Sequence, residues 1–281
     1  MTTRLILLLT LVAALGLAAP NKAYGTQTGI AILMMHRFSA TSTSPYSLTP
    51  TAFTKILEYL RDNNVCIVDL LEYSQGTFVK RCAGRKVAAL SFDDGHPSQF
   101  RFNTNSLDPT SGIGILQNVL PNAKATFFLN VTNGGAPFGT DSKRKIAWLR
   151  QNNFIIGNHT VSHPLLSKIS PQQVAQEING VCDYFAVSSM ILAYPYGLMP
   201  LQPLASYKLT CQIPAAFRAW LGYFEGQGQN LESGALLAPL PKTADFAKRR
   251  LSYPRLNISS YNDFLRDVAQ NPNWLELPKQ K

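Results

Sequence analysis

Between residues 29 and 194, short apolar runs alternate with amphipathic stretches, and this alternation limits the fold more than any other feature of the chain. Residues 29–36, 65–68, 86–92, 125–129, 154–156 and 191–194 are each short, apolar and bounded by turn formers, the mark of buried strands. The stretches between them read as helices. Thr49-Pro50 supplies an N-cap with proline at N1, and Phe53, Ile56, Leu57 and Leu60 recur at helical spacing, so 50–63 is expected to be an amphipathic helix. Further helices are expected near 113–120 and over 142–151, and Ser170-Pro171-Gln172-Gln173 is a capping box that opens another. Strands that alternate with helices imply an α/β protein: a parallel sheet with covering helices, either a barrel or a doubly wound sheet. In both, ligands sit at the C-terminal ends of the strands.

Before this region, Met1-Thr-Thr-Arg4 precedes the apolar stretch LILLLTLVAALGLAA. A basic start followed by about 15 apolar or small residues is short for a spanning helix and fits a secretory signal. Residues 1–25 are read as a signal peptide, with cleavage after Ala18 as the competing site and an uncleaved anchor as the alternative; residues 26–281 form the mature chain. Export would expose Cys66, Cys82, Cys182 and Cys211 to oxidising surroundings. Three disulfide connectivities are open; Cys66–Cys82 with Cys182–Cys211 closes short loops and is preferred, and no C-x-x-C spacing suggests zinc. The formal charge of +10, which falls to +8 when residues 1–25 take Arg4 and Lys22 with them, suits loose association with an anionic envelope. Its lysines and arginines are not interleaved with aromatics in a nucleic-acid pattern.

Three polar motifs fall at the ends of expected strands. Ser91-Phe92-Asp93-Asp94-Gly95 places two adjacent carboxylates there, although Asp-Gly after a strand is also ordinary turn chemistry. Gly157-Asn158-His159-Thr160-Val161-Ser162-His163 carries two imidazoles four apart, which share a face if the segment turns as a helix. With a neighbouring carboxylate they would form a two-histidine, one-carboxylate metal site. Leu192-Ala193-Tyr194-Pro195-Tyr196-Gly197 stiffens a loop that can offer a main-chain N–H to a developing oxyanion. Residues 222–250, rich in glycine, proline and charge, read as a long irregular loop.

Taken together, SFDDG, HTVSH and AYPYG resemble the signatures of the polysaccharide deacetylases of the NodB-homology family, carbohydrate esterase family 4. Ala125-Thr-Phe-Phe128, Ala215-Ala-Phe-Arg218 and Pro254-Arg255 are similar to lesser elements of the family, and the resemblance spans roughly residues 30–260. It implies a single-domain distorted (β/α) barrel and a hydrolase that removes N-acetyl groups from an N-acetylglucosamine-containing polysaccharide. It also implies a divalent metal, Zn²⁺ first, on Asp94, His159 and His163, with Asp93 as general base and the N–H near Tyr196 on the oxyanion. His96 and Pro195 are expected near substrate. The chain is most similar to the branch of periplasmic poly-N-acetylglucosamine deacetylases, in which a histidine ending the first strand, here His36, protonates the leaving amine. No histidine follows His163. Ala193 stands where most members carry an arginine that holds the base, which leaves open what orients Asp93. Two other readings remain: a metal-dependent hydrolase of a non-carbohydrate amide, and a non-catalytic carbohydrate-binding protein, supported only by Ala193.

Overall fold

The computed structural model describes residues 29–42, 44–132, 135–220, 238 and 253–279. The expected signal peptide and, apart from Ala238, the expected loop at 222–250 lie outside them. Eight strands make one sheet: β1 (Ala31–Met35), β2 (Cys66–Val68), β3 (Val87–Asp93), β4 (Thr126–Leu129), β5 (Ile155–Asn158), β6 (Leu192–Tyr194), β7 (Ala216–Trp220) and β8 (Tyr253–Asn257). Every pairing in this sheet is parallel. Because β1 pairs with both β3 and β8, seven strands close into a ring, ordered β1-β3-β4-β5-β6-β7-β8. The eighth strand, β2, lies outside that ring. β1 occupies one edge of β3, so β2 and β4 share the other end to end, β2 beside Val87–Ala89 and β4 beside Ser91–Asp93. The expected α/β architecture is therefore a distorted barrel and not a doubly wound sheet.

Local signals explain the covering helices. Helix α1 (Pro50–Asp62) starts where the Thr49 hydroxyl accepts the Ala52 N–H at 3.1 Å, and it buries the four expected apolar residues. Each such burial contributes about 1.5–3 kcal/mol relative to exposure. Three more covering helices, here numbered after the short α2 (Leu70–Gln75), are α3 (Gly112–Val119), α4 (Ser142–Gln151) and α5 (Pro171–Phe185). The Ser170/Gln173 capping box at the start of α5 is present as read from the sequence. Because neighbouring residues on a strand point to opposite faces, both faces of the barrel wall are buried. Leu33, Leu90, Phe127 and Leu192 pack outward against the helices. Ile32, Ala89, Phe128, Ala193 and Phe217 belong to a second cluster that fills the interior.

At the N-terminal end of the barrel, the α2 residue Tyr73 is buried against Phe78, Phe217 and Tyr253, with ring centroids 6.2, 6.2 and 5.0 Å away. Both preferred disulfides form: Cys66–Cys82 with Cα atoms 5.5 Å apart, and Cys182–Cys211 with Cα atoms 5.8 Å apart. The tail residue Trp274 donates its indole N–H to the Val87 carbonyl at 2.8 Å.

Candidate active site

β3 ends on Asp93, whose side chain is buried, and the chain then turns through two left-handed residues, Asp94 (φ +75°) and Gly95 (φ +66°). Aspartate tolerates that conformation better than most residues, and glycine adopts it freely. A Cβ on Gly95 would also come within 3.0 Å of the Leu129 side chain. The turn splits the paired carboxylates: Asp93 stays within the barrel and Asp94 is half-buried at its mouth.

Asp93 receives a two-pronged ion pair from Arg255 of β8, Nη1 to Oδ1 at 2.5 Å and Nη2 to Oδ2 at 2.7 Å. The guanidinium is fully buried, lies 4.8 Å from the Phe128 ring centre and also reaches the Ser91 hydroxyl at 3.3 Å. This fills the gap left at Ala193. β6 and β8 both line the barrel interior, so an arginine on either can meet Asp93, and the small side chain at 193 leaves room for the one at 255. Burial by itself would push the Asp93 carboxyl up; Arg255 and His159 more than offset it, so Asp93 lies below the usual carboxylate range. The arginine that orients Asp93 is thus present, on a different strand, and the one ground for a non-catalytic protein disappears.

The helical reading of HTVSH is corrected. The segment after β5 is an irregular turn in which Thr160 (φ +66°) and His163 (φ +59°) are left-handed. Side chains hold it: Asn158 donates to the Ile178 carbonyl at 2.8 Å and accepts the Thr160 N–H at 2.8 Å, and the Thr160 hydroxyl accepts the His163 N–H at 3.1 Å. The two imidazoles still meet, with centroids 4.7 Å apart. Their Nε2 atoms lie 3.5 Å (His159) and 3.6 Å (His163) from Asp94 Oδ1.

These residues fit a divalent metal. One ligand atom from each of Asp94, His159 and His163 lies within 4.8 Å of the others, and Asp94 Oδ1 is buried with no hydrogen-bond partner among the described residues. His159 Nδ1 is 2.9 Å from the Ala193 carbonyl. A carbonyl can only accept, so Nδ1 carries the proton and Nε2 keeps its lone pair for a ligand role. Burial, then the neighbouring His159, pushes His163 down to about 4, so it is neutral near pH 7. Burial would lower His159 too, but Asp93 and Asp94 carry it above the ordinary histidine value. Burial would raise Asp94; the neighbouring His159, with the charges of His36 and His163, holds it well below the usual range.

All six of the catalytic and metal candidates border one cavity of about 290 Å³: His36, Asp93, Asp94, His159, His163 and Tyr196. Two larger clefts, of about 380 and 520 Å³, contain none of them. His36 follows β1, its Nδ1 buried without a hydrogen-bond partner among the described residues, and burial lowers its pKa. Its ring meets Tyr46 edge-on at 5.0 Å. Tyr196 mirrors this on the other side, 4.5 Å from His163, on a left-handed backbone (φ +56°). Pro195 is buried one residue behind the lining, where it opens the short turn that presents Tyr196. His96 does not border the cavity; its Nδ1 accepts the Ser98 N–H at 3.1 Å and caps the turn after the paired aspartates. Sequence reasoning missed the pairing of Arg255 with Asp93, as well as Arg37 and Tyr46, which also line the cavity. For Arg255 the only local signal was its place beside Pro254.

The profile of the family described as polysaccharide deacetylase matches residues 80–209, the stretch that holds both aspartates, both clustered histidines and Tyr196. Residues 80–209 form a polysaccharide deacetylase domain. The chain is accordingly an enzyme, a hydrolase of amide bonds. No curated protein sequence matches it. Among solved structures, it is similar to the Streptococcus pyogenes deacetylase PplD in complex with acetate, at 21% identity and TM-score 0.50 over 63% of this chain and 77% of that one. A polysaccharide deacetylase from Bacillus cereus aligns at 17% identity and TM-score 0.57 over 86% and 69%. A de-N-acetylase from Aggregatibacter actinomycetemcomitans aligns at 14% identity and TM-score 0.52 over 82% and 94%. At these identities the structural likeness supports the barrel fold of this deacetylase.

Proposed function

We propose that this deacetylase is exported, to the periplasm or beyond, and uses a bound divalent ion, Zn²⁺, to remove N-acetyl groups from an N-acetylglucosamine-containing polysaccharide. The observation that carries the reading is the meeting, in one cavity, of a charge-paired carboxylate, a three-residue metal set and a separate buried imidazole. Export is supported by the apolar N-terminal stretch and by two disulfides.

Asp94, His159 and His163 would hold the ion, which when bound supplies Lewis-acid polarisation of the acetamide carbonyl and acidifies water beside it. Asp93, kept ionised and aimed by Arg255, accepts the proton of the attacking water. The main-chain N–H near Tyr196 faces the oxygen that gains charge as the carbonyl carbon becomes tetrahedral. His36 gives its proton to the nitrogen as the C–N bond breaks, releasing acetate and leaving the sugar with a free amine. Burial makes that imidazole a readier acid than an exposed one. The net positive charge, +8 once Arg4 and Lys22 leave with the signal peptide, supports loose association with anionic envelope material.

The test is acetate release from a panel of acetylated glycans and small amides, with and without chelator. Release from N-acetylglucosamine oligomers, lost with chelator and restored by Zn²⁺, is the expected result; turnover of small amides alone would refute the substrate class. His36→Ala should slow acetamide hydrolysis by roughly 10²–10⁴ and an activated ester much less.

A further inference from the structure

The paired register between β1 and β3 runs from Ala31 opposite Ala88 to Met35 opposite Phe92 and stops there. The next residue on each strand, His36 and Asp93, is the one assigned proton chemistry. Beyond the ladder, the side chain of Gln99 bridges the two strand ends. Its amide Nε2 donates to the His36 carbonyl and to the Asp93 carbonyl, each at 2.5 Å. A carboxamide has two N–H donors held in one plane, and here both are used to tie the strands together.

The bridge is anchored. Gln99 is fully buried in the short turn Pro97–Gln99, and its own N–H donates to the His96 carbonyl at 2.9 Å. Next to it, the Ser98 hydroxyl accepts the Phe38 N–H at 2.8 Å, which holds the chain just after His36 to the same turn. Phe100 then fixes the turn to the body of the protein, packed against Phe102, Phe138 and Trp148 at 5.0, 5.7 and 5.3 Å. Gln99 does not border the cavity.

We propose that Gln99 is a positioning residue that sets the spacing between His36 and Asp93, so that one bound acetamide reaches both. It rests on the assignment of those two residues as acid and base. Catalytic steps are sensitive to displacements of this size, about 10²-fold for 1 Å. A staple across two strand ends fixes the spacing without touching the substrate.

Gln99→Met keeps the length of the side chain and removes both donors. On the metal-loaded enzyme, kcat for an acetamide substrate is expected to fall about 10- to 100-fold, with KM and metal content per chain unchanged. In a His36→Ala background the same change should cost little, because no acid remains to be misplaced; a merely structural role would multiply the two losses. Gln99→Asn, too short to reach both carbonyls, should fall between wild type and Gln99→Met, and it decides the matter if Gln99→Met does not fold. Wild-type turnover in Gln99→Asn or Gln99→Met, or full multiplication of losses with His36→Ala, would overturn the proposal. Retained turnover in His36→Ala and Asp93→Asn would instead overturn the assignment beneath it.

Discussion

The two ends of this barrel are built on opposite terms. At the C-terminal end, four left-handed non-glycine residues, Asp94, Thr160, His163 and Tyr196, border or support a polar cavity, and buried polar atoms there, His36 Nδ1 and Asp94 Oδ1 among them, have no hydrogen-bond partner among the described residues. Left-handed conformations and unsatisfied polar groups each cost free energy. At the N-terminal end, Tyr73 packs among aromatic rings, Trp274 is bonded to the wall, and Cys66–Cys82 ties β2 to the segment after α2. Left-handed residues occur at that end too, at Asn64, Asn153 and Ala186, so the difference lies in polarity: buried polar groups without partners gather at the reactive end, and apolar packing and a cross-link at the other.

The comparison can be broken first at the metal set. His159→Ala should abolish both metal binding and acetate release while the metal-free protein keeps its thermal midpoint; full metal occupancy in that variant would remove His159 from the site. Arg255 is where the two ends should fail to separate. Arg255→Met leaves a buried carboxylate without its counter-ion and should cost about 3–5 kcal/mol. Adding Asp93→Asn should return most of that stability but none of the turnover. Denaturant melts of the single and double variants check this, and an additive loss would mean that the ion pair is not the source.

At the opposite end, replacing Cys66 and Cys82 together by serine should lower stability by about 2–4 kcal/mol and leave kcat at the working temperature unchanged. A fall in kcat with no change in stability would show that the ends are coupled. The smallest effect sharpens the electrostatics. His159 is held above the ordinary histidine value, whereas His163 is pushed down to about 4. Between those values the free site carries one ligand proton, which an incoming ion must displace. Affinity should therefore fall by about tenfold per pH unit below the raised His159 value. Calorimetry at pH 6 in buffers of different ionisation heat should count one proton released per ion; two would place the His163 proton wrongly.

Much of this was legible in the chain. Six strands, β1 to β6, follow from short apolar runs, and the caps of α1 and α5 stand where Thr49 and Ser170 put them. The aspartates and histidines were legible as one polar cluster because each motif ends a strand. The meeting of Asp94, His159 and His163 survived a wrong reading of the backbone: a β-branched Thr160 gives no sign of a left-handed turn, and the two imidazoles converge by that turn instead of by a helix. β5 runs on to Asn158, past the expected end at 156, because polar residues at a strand end read as loop. β7 and β8 were not read as strands, and Pro254 within β8 argues against one in a local reading. The pairing of Arg255 with Asp93 was hidden for a different reason. It is made across the ring between strands far apart in sequence, and periodicity reports only neighbours.

Ring closure also sets an order of events for the newly made chain. β1, near the beginning, finds its second partner only in β8, where Leu33 lies opposite Leu256, and the same strand delivers Arg255. Such distant pairing is slow to form and comes late. Until β8 docks, Asp93 has no counter-ion, so a chain cut short before residue 253 would leave an open sheet with an uncompensated carboxylate in its wall. Completion of the barrel and charge-pairing of Asp93 are thus a single step.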